Sequence, residues 1–239
     1  MRLEINVILV VIFIGIGTMF LTQPTPLIND KLISAKQGGV LSSDLDKEAR
    51  QFSNETKNLD PKVVKLGLIA YNNALKKGLT QQKVLTIVDY SKPSTEPRLW
   101  VLNLKTHQVM FNELVAHGKQ SGENYAVSFS NQPSSNKSSL GTYLTTVTYD
   151  GKHGYSLKLE GLDKGLNDKA ASRAVVIHSA EYVSAEVAKE NGRLGRSEGC
   201  LALNPAVTKP VIDTIKNGTV VFAYYPSSDL LNHSNYLKI

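Results

Sequence analysis

Apolar positions along this chain follow two periods, and the change comes near Lys83. Between Asp44 and Gly78 they recur every three to four residues, the spacing of a helix face. Asp44–Lys57 predicts a charged, modestly amphipathic helix. Asp60 and Pro61 predict the start of a better one, as N-cap and first helical residue, with Val64, Leu68, Tyr71 and Leu75 on one face and Gly78 as the stop. From Lys83 the pattern alternates. "KVLTIVDY", "RLWVLNL", "HQVMFNELVAHG", "GTYLTTVTYDG" and "YSLKLEG" predict strands, and the continuous apolar run "RAVVIHS" predicts a buried one. Glu181–Glu190 predicts a helix, Asn204-Pro205 caps another reaching Lys216, and "GTVVFAYY" reads as the last strand. The serine-rich stretch "SGENYAVSFSNQPSSNKSS" predicts a long loop of the lid or binding type, with a short strand at Tyr125–Phe129. Many strands and few helices give a mostly β architecture, barrel or sandwich, with peripheral helices and α+β overall.

The amino-terminal residues obey neither period. Residues 5–21 are apolar except for Asn6 and Thr18, and follow a short segment containing Arg2 and Glu4. As a helix they reach roughly 26 Å, against a hydrocarbon core of ~30 Å. Residues 1–23 therefore read as a signal peptide or an uncleaved membrane anchor, which engages membrane or export machinery and places the rest in the periplasm or cell envelope. Residues 24–43 read as a linker, 44–80 as a helical region and 81–239 as the main domain.

A net charge of +6, with 27 basic residues spread along the chain, offers neither a dense basic run nor interleaved aromatics, so nucleic acid is not indicated. One cysteine excludes an intramolecular disulfide and a CxxC metal site, and there is no HExxH pair; neither metal nor organic cofactor is expected.

That cysteine, Cys200, lies in "GRLGRSEGCLAL". A thiol becomes a competent nucleophile when a histidine takes its proton or a cation stabilises the thiolate. Of His107, His117, His153, His178 and His233, His178 is the best placed: it ends the buried strand and precedes Cys200 by 22 residues, room for one helix and a return. Gly192, Gly195 and Gly199 permit sharp turns, and the amides of Gly199 and Cys200 suggest an oxyanion hole. Arg193 and Arg196 bring positive charge for a thiolate or a substrate carboxylate. Each feature alone has a plainer reading, since a lone Cys or His is more often a buried structural residue.

Together, "IHS…GRLGRSEGCLAL" resembles the YkuD-type L,D-transpeptidases, nearest to the murein L,D-transpeptidase catalytic-domain branch, whose signature is a histidine followed by Ser/Thr-x-Gly-Cys. "TIVDYSKPS", "RLWVLNL", "VAHG", "SFSN", "SSLGTYLT", "YDGKHGYSLKLEGL" and "GLNDKAASRAVVIHSAEYV" match the branch in order, over roughly Pro61 to Tyr224. The resemblance implies a barrel-like β sandwich, with Cys200 as nucleophile, His178 as general base and the Ser179 carbonyl orienting the imidazole. Ser197, Gly199 and Arg196 would line the acyl site, Arg173 and Tyr182 would support it, and His117 and Asn131 match without an assigned role. It implies peptidoglycan stem peptides as substrate, handled through a Cys thioester that yields 3→3 crosslinks or, with water, removes the terminal D-alanine. Two positions depart from the branch: Glu198 where tryptophan is usual and Leu201 where proline is. Ala202 also stands where many relatives carry arginine. The alternative is a non-catalytic cell-wall binding module on the same fold; a sortase-like enzyme fits less well, because "RSEGC" lacks the TLxTC-like strand.

Overall fold

The computed structural model describes residues 39–56 and 58–238. The candidate leader or anchor at 1–23 and most of the linker at 24–43 lie outside the described residues. Among the described residues, no helix is long and apolar enough to cross a membrane.

Among the described residues two helices come first, α1 (Gly39–Glu55) and α2 (Pro61–Lys76). The helix of α1 thus takes in residues 39–43, the end of the expected linker. Asp60 caps α2 as its sequence predicts, accepting from the Lys62 N–H at 2.8 Å, with Pro61 in the first turn. Their buried faces, Leu45, Ala49 and Phe52 on α1 and Val63, Val64 and Leu68 on α2, belong to the same core as the strands. The helical region is therefore packed onto the β structure rather than separate from it. Lys65 closes the helix pair through Asp46 at 2.7 Å.

Nine strands follow: β1 (Val84–Asp89), β2 (Leu99–Asn103), β3 (Gln108–Glu113), β4 (Val115–Ala116), β5 (Gly141–Gly151), β6 (Gly154–Gly161), β7 (Val176–Ser179), β8 (Leu201–Leu203) and β9 (Val220–Tyr224). They form one mixed sheet in the order β3-β2-β1-β9-β5-β6-β7-β8-β4. The pairs β1/β9 and β7/β8 are parallel and the other pairs antiparallel. Its two edge strands, β3 and β4, are consecutive in the chain with only Leu114 between them. A sheet whose edges are one residue apart must curl until they meet, so the nine strands make a nearly closed barrel, which also removes exposed edges. The mostly β architecture with peripheral helices matches the expectation from the alternating pattern.

Three further helices cap the barrel: α3 (Ala185–Asn191), α4 (Pro205–Ile215) and α5 (Ser228–His233). Asn204 caps α4 by accepting from the Ala206 N–H at 2.9 Å, while its Nδ2 donates to Val183 O at 2.7 Å and so ties α4 to the segment after β7. The expected strand at Tyr125–Phe129 does not form. The N–H groups of Val127 and Ser128 both donate to Ser121 O, at 2.8 and 3.0 Å, which curls the chain back on itself instead of offering a ladder.

Candidate active site

The strand β7 carries His178, and β8 begins directly after Cys200. Their parallel register sets Ile177 opposite Leu201, His178 opposite Ala202 and Ser179 opposite Leu203. Side chains alternate along a strand, so Cys200 shares the face of Ala202 and lies diagonally from His178, the ~7–8 Å relationship of next-but-one positions. Leu201 and Leu203 point the other way into the main core. Ala202 joins a smaller cluster with Ala116, Ala180, Val183, Ala188 and Leu194 beneath the cysteine loop. Leu201, where the resembled branch has proline, is thus a core residue, 2% exposed.

Cys200 and His178 open into one cleft of about 560 Å³, lined also by Tyr149, Lys152, His153, Arg173, Tyr182, Arg196, Ser197 and Glu198. The ring Nδ1 of His178 lies 2.8 Å from Ser179 O. A carbonyl only accepts, so Nδ1 carries the hydrogen and Nε2 is left as the basic nitrogen. The Cys200 thiol donates at 3.6 Å to Ala174 O rather than to the imidazole.

Both groups are shifted toward their uncharged forms. Burial pushes the thiol above its ordinary value and the Glu198 carboxylate adds to the effect, against a backbone hydrogen bond near Val176 and the positive charges of Arg173 and Lys152. Burial likewise holds the His178 imidazole below its ordinary value, with His153 and Lys152 acting in the same sense and the bond to Ser179 opposing. The two shifts together disfavour a standing thiolate–imidazolium pair.

The loop before Cys200 is built on short side-chain bonds. Ser197 Oγ donates to Cys200 O at 2.7 Å and accepts from the Gly199 N–H at 3.1 Å. The Gly199 amide is therefore engaged inside the loop, which leaves the Cys200 amide as the oxyanion candidate. Gly199 itself is required by its backbone, at φ +122, and by space: a Cβ there would lie 2.9 Å from Lys137 O and 3.3 Å from the Arg173 guanidinium. Gly195 is required by approach alone, since its Cβ would meet the Cβ of Tyr182 at 2.4 Å.

Arg173 holds the serine-rich loop against this turn. Its guanidinium donates to Ser130 O at 2.8 Å, Lys137 O at 2.7 Å, Ser135 Oγ at 3.2 Å and the Ser139 hydroxyl. Tyr182 stays a neutral phenol, pushed up to about 12 by burial and by the neighbouring Cys200 and Glu198. Arg196 lines the cleft, and both loop arginines already have a partner. Arg196 and Arg193 both pair with the exposed carboxylate of Glu123, at 2.5 and 2.9 Å, so the cationic influence on the thiol comes from Arg173 and Lys152. Glu198 projects into solvent at the cleft rim, 71% exposed, and meets Lys119 at 3.2 Å.

His117 and Asn131, matched without a role, are structural. Asn131 ties the serine-rich loop to the following segment through Asp168 at 2.7 Å and the Lys169 N–H at 3.1 Å. His117 is buried; its main-chain O accepts from the Ser197 N–H at 2.9 Å. Two features escape the sequence reading. Arg98, fully buried, donates to Val115 O, Lys92 O and His117 Nδ1, and no sequence signal separates it from a surface arginine. The other is the reach of the β5–β6 hairpin: its two strands are legible in the sequence, but not that its tip, Lys152-His153 between Gly151 and Gly154, lines the cleft.

Residues 47–224 match the family model for the L,D-transpeptidase catalytic domain. The chain belongs to the L,D-transpeptidase catalytic-domain family. Solved structures to which the chain is similar include L,D-transpeptidases. One from Mycobacterium smegmatis is 14% identical with a TM-score of 0.37, covering 60% of this chain and 59% of that one. L,D-transpeptidase 3 from Mycobacterium tuberculosis is 13% identical with a TM-score of 0.38, covering 60% and 61%. An enzyme from Stackebrandtia nassauensis is 15% identical with a TM-score of 0.36, covering 79% and 92%. The chain thus spans about three fifths of the first two of these structures. No curated protein matches it. Among the described residues, no group of His, Cys, Asp and Glu is arranged to hold a metal ion.

Proposed function

We propose that this L,D-transpeptidase domain acts on peptidoglycan stem peptides through a thioester on Cys200. The observation that carries the reading is the β7/β8 register, which puts Cys200 and His178 on one face and in one cleft, with the imidazole's Nδ1–H committed to Ser179 O. In the first half-reaction the thiol proton passes to His178 Nε2 as Sγ attacks the carbonyl carbon of the third stem residue. The Cys200 amide faces the developing oxyanion. The C–N bond to the terminal D-alanine then breaks, and the leaving amine takes the proton from His178.

In the second half-reaction the side-chain amine of another stem loses its proton to His178 and attacks the thioester. The C–S bond breaks and the sulfur recovers the proton, leaving a 3→3 crosslink; water in the amine's place gives the tripeptide, a carboxypeptidase outcome. The lysine and arginine charge around the cleft, Lys152 and Arg173 above all, suits a substrate rich in carboxylates. Its place is the periplasm or cell envelope, reached through the amino-terminal apolar segment.

Incubation with a disaccharide-tetrapeptide, followed by mass analysis, tests this. The expected products are a 3→3 dimer or the tripeptide, both lost in Cys200→Ala. An unaltered tetrapeptide with the wild type instead favours the non-catalytic wall-binding alternative.

A further inference from the structure

The base in this cleft is held on more than one side. His178 is restrained by its hydrogen bond to Ser179 O, but one hydrogen bond fixes one ring atom and leaves the plane free to rock. The plane is fixed by a second ring. His153, on the tip of the β5–β6 hairpin, stacks on His178 with centroids 4.2 Å apart and the planes inclined by 22°.

The hairpin is built to deliver that ring. The first half of β5 is buried and its outer half is exposed, so the strand leaves the barrel as a two-stranded arm. Pairing stays in register to the end, with Tyr149 opposite Ser156, Asp150 opposite Tyr155 and Gly151 opposite Gly154. A two-residue turn with Gly154 at φ +69 closes it. Tyr149, Lys152 and His153 from this arm all line the cleft. An exposed histidine at a turn has no core to serve, and its ring is spent on the base.

We propose that His153 is a positioning residue for the thiol chemistry: its imidazole, carried by the hairpin tip, sets the plane of the His178 ring and its charge environment. The inference rests on the reading of His178 as the general base. Stacked aromatic rings are favourable while one is neutral, whereas two cations 4.2 Å apart repel, so the arm also biases His178 toward its neutral, proton-accepting form. The other charged or titratable groups lining the cleft with His178 are Tyr149 and Lys152 on the same arm, Arg173 before β7, Tyr182 after it, and Arg196, Glu198 and Cys200 before β8.

Three variants of the full chain and two readouts test it: the pH dependence of covalent acylation by a carbapenem, read by intact mass, and the ¹⁵N titration of the His178 ring, identified by its loss in His178→Gln. His153→Ala removes the stack and is expected to slow acylation about three- to ten-fold. His153→Phe keeps a ring and removes the charge. It is expected to restore most of that rate while moving the acid limb, and the His178 titration, to higher pH. The sign follows because removing a neighbouring positive charge makes His178 easier to protonate, so free base is lost sooner as pH falls. If His153→Ala and His153→Phe match the wild type in both readouts, the inference is wrong. It is equally wrong if His153→Phe abolishes acylation as completely as His178→Gln, because His153 then acts on the reacting atoms directly. Should the wild type not acylate at all, the proposed function fails, and the NMR titration still decides whether His153 tunes His178.

Discussion

In the interior of the barrel the Arg98 guanidinium donates to His117 Nδ1 at 2.7 Å, directly behind the loop that carries Cys200. Arginine cannot accept, so Nδ1 is the bare nitrogen and the Nε2–H donates to Gly122 O at 3.2 Å. The main-chain O of His117 in turn receives the Ser197 N–H at 2.9 Å, and Ser197 Oγ holds Cys200 O. A buried ring thus braces the loop from beneath, and Arg98 fixes its tautomer.

Arg98→Met is expected to be among the most damaging single changes. It removes the side-chain donors to Val115 O, Lys92 O and His117 Nδ1, at a cost of roughly 3 kcal/mol or more. Burial already lowers the guanidinium to about 10, which leaves it charged at all working pH values. Urea unfolding of the two proteins at neutral pH measures the difference, and a change under about 1 kcal/mol contradicts the bracing role.

His117 makes the fold acid-sensitive. Burial first, then Arg98, lowers its imidazole to about 4 from an ordinary value of 6.5. Between those two pH values the unfolded chain binds a proton that the folded chain refuses, so this group's contribution to stability is full above pH 6.5 and falls as pH drops toward 4. The loss is on the order of 3 kcal/mol. His117→Asn keeps an acceptor for Arg98 but does not titrate there. The difference in unfolding free energy between the two proteins should therefore shrink from pH 7 to pH 4, and a constant difference counts against the assignment.

Glu198 is expected to restrain the nucleophile. Its carboxylate is one of the groups raising the thiol, so Glu198→Gln lowers the Cys200 pKa and speeds alkylation by iodoacetamide near neutral pH. The exposure of Glu198 keeps the gain modest, a few-fold at most. Slower alkylation in the variant reverses the sign of this reasoning.

Arg173 is expected to matter through its geometry more than its charge. Arg173→Lys keeps a cation but cannot reproduce four bonds spread over Ser130, Ser135, Lys137 and Ser139. Hydrogen exchange in residues 130–139 should rise by tenfold or more, and acylation should slow with it. Unchanged protection of that loop removes Arg173 as its clamp.

The sequence revealed strand positions, and the nearness of Cys200 to His178 in one cleft, more readily than it revealed how the elements meet. Strands with one buried face announce themselves by alternation, and "RAVVIHS" by its unbroken apolar run, because each reports its own burial. Barrel closure rests on Leu114 alone separating two sheet edges, a long-range fact with no local period. The alternation at Tyr125–Phe129 misled because Ser121 O captures two amides that a strand would have offered to a neighbour. Residues named for charge fared less evenly. Arg196 is drawn to Glu123, 73 residues earlier in the chain, and only the fold brings them together. Gly199 carries its requirement in φ and in the nearness of Lys137 O, both invisible in "SEGC". Gly199→Ala is accordingly expected to be folded but strained by roughly 1–3 kcal/mol, with the cysteine loop displaced.

Cys200 is proposed to carry the acyl group on its sulfur, with His178 taking the thiol proton. Intact mass spectrometry after incubation with a carbapenem tests it most directly, using wild type, Cys200→Ala and His178→Gln. One covalent adduct is expected on the wild type, none on Cys200→Ala, and a much slower one on His178→Gln. A wild type that gains no mass, or a Cys200→Ala variant that gains the same adduct, contradicts the account.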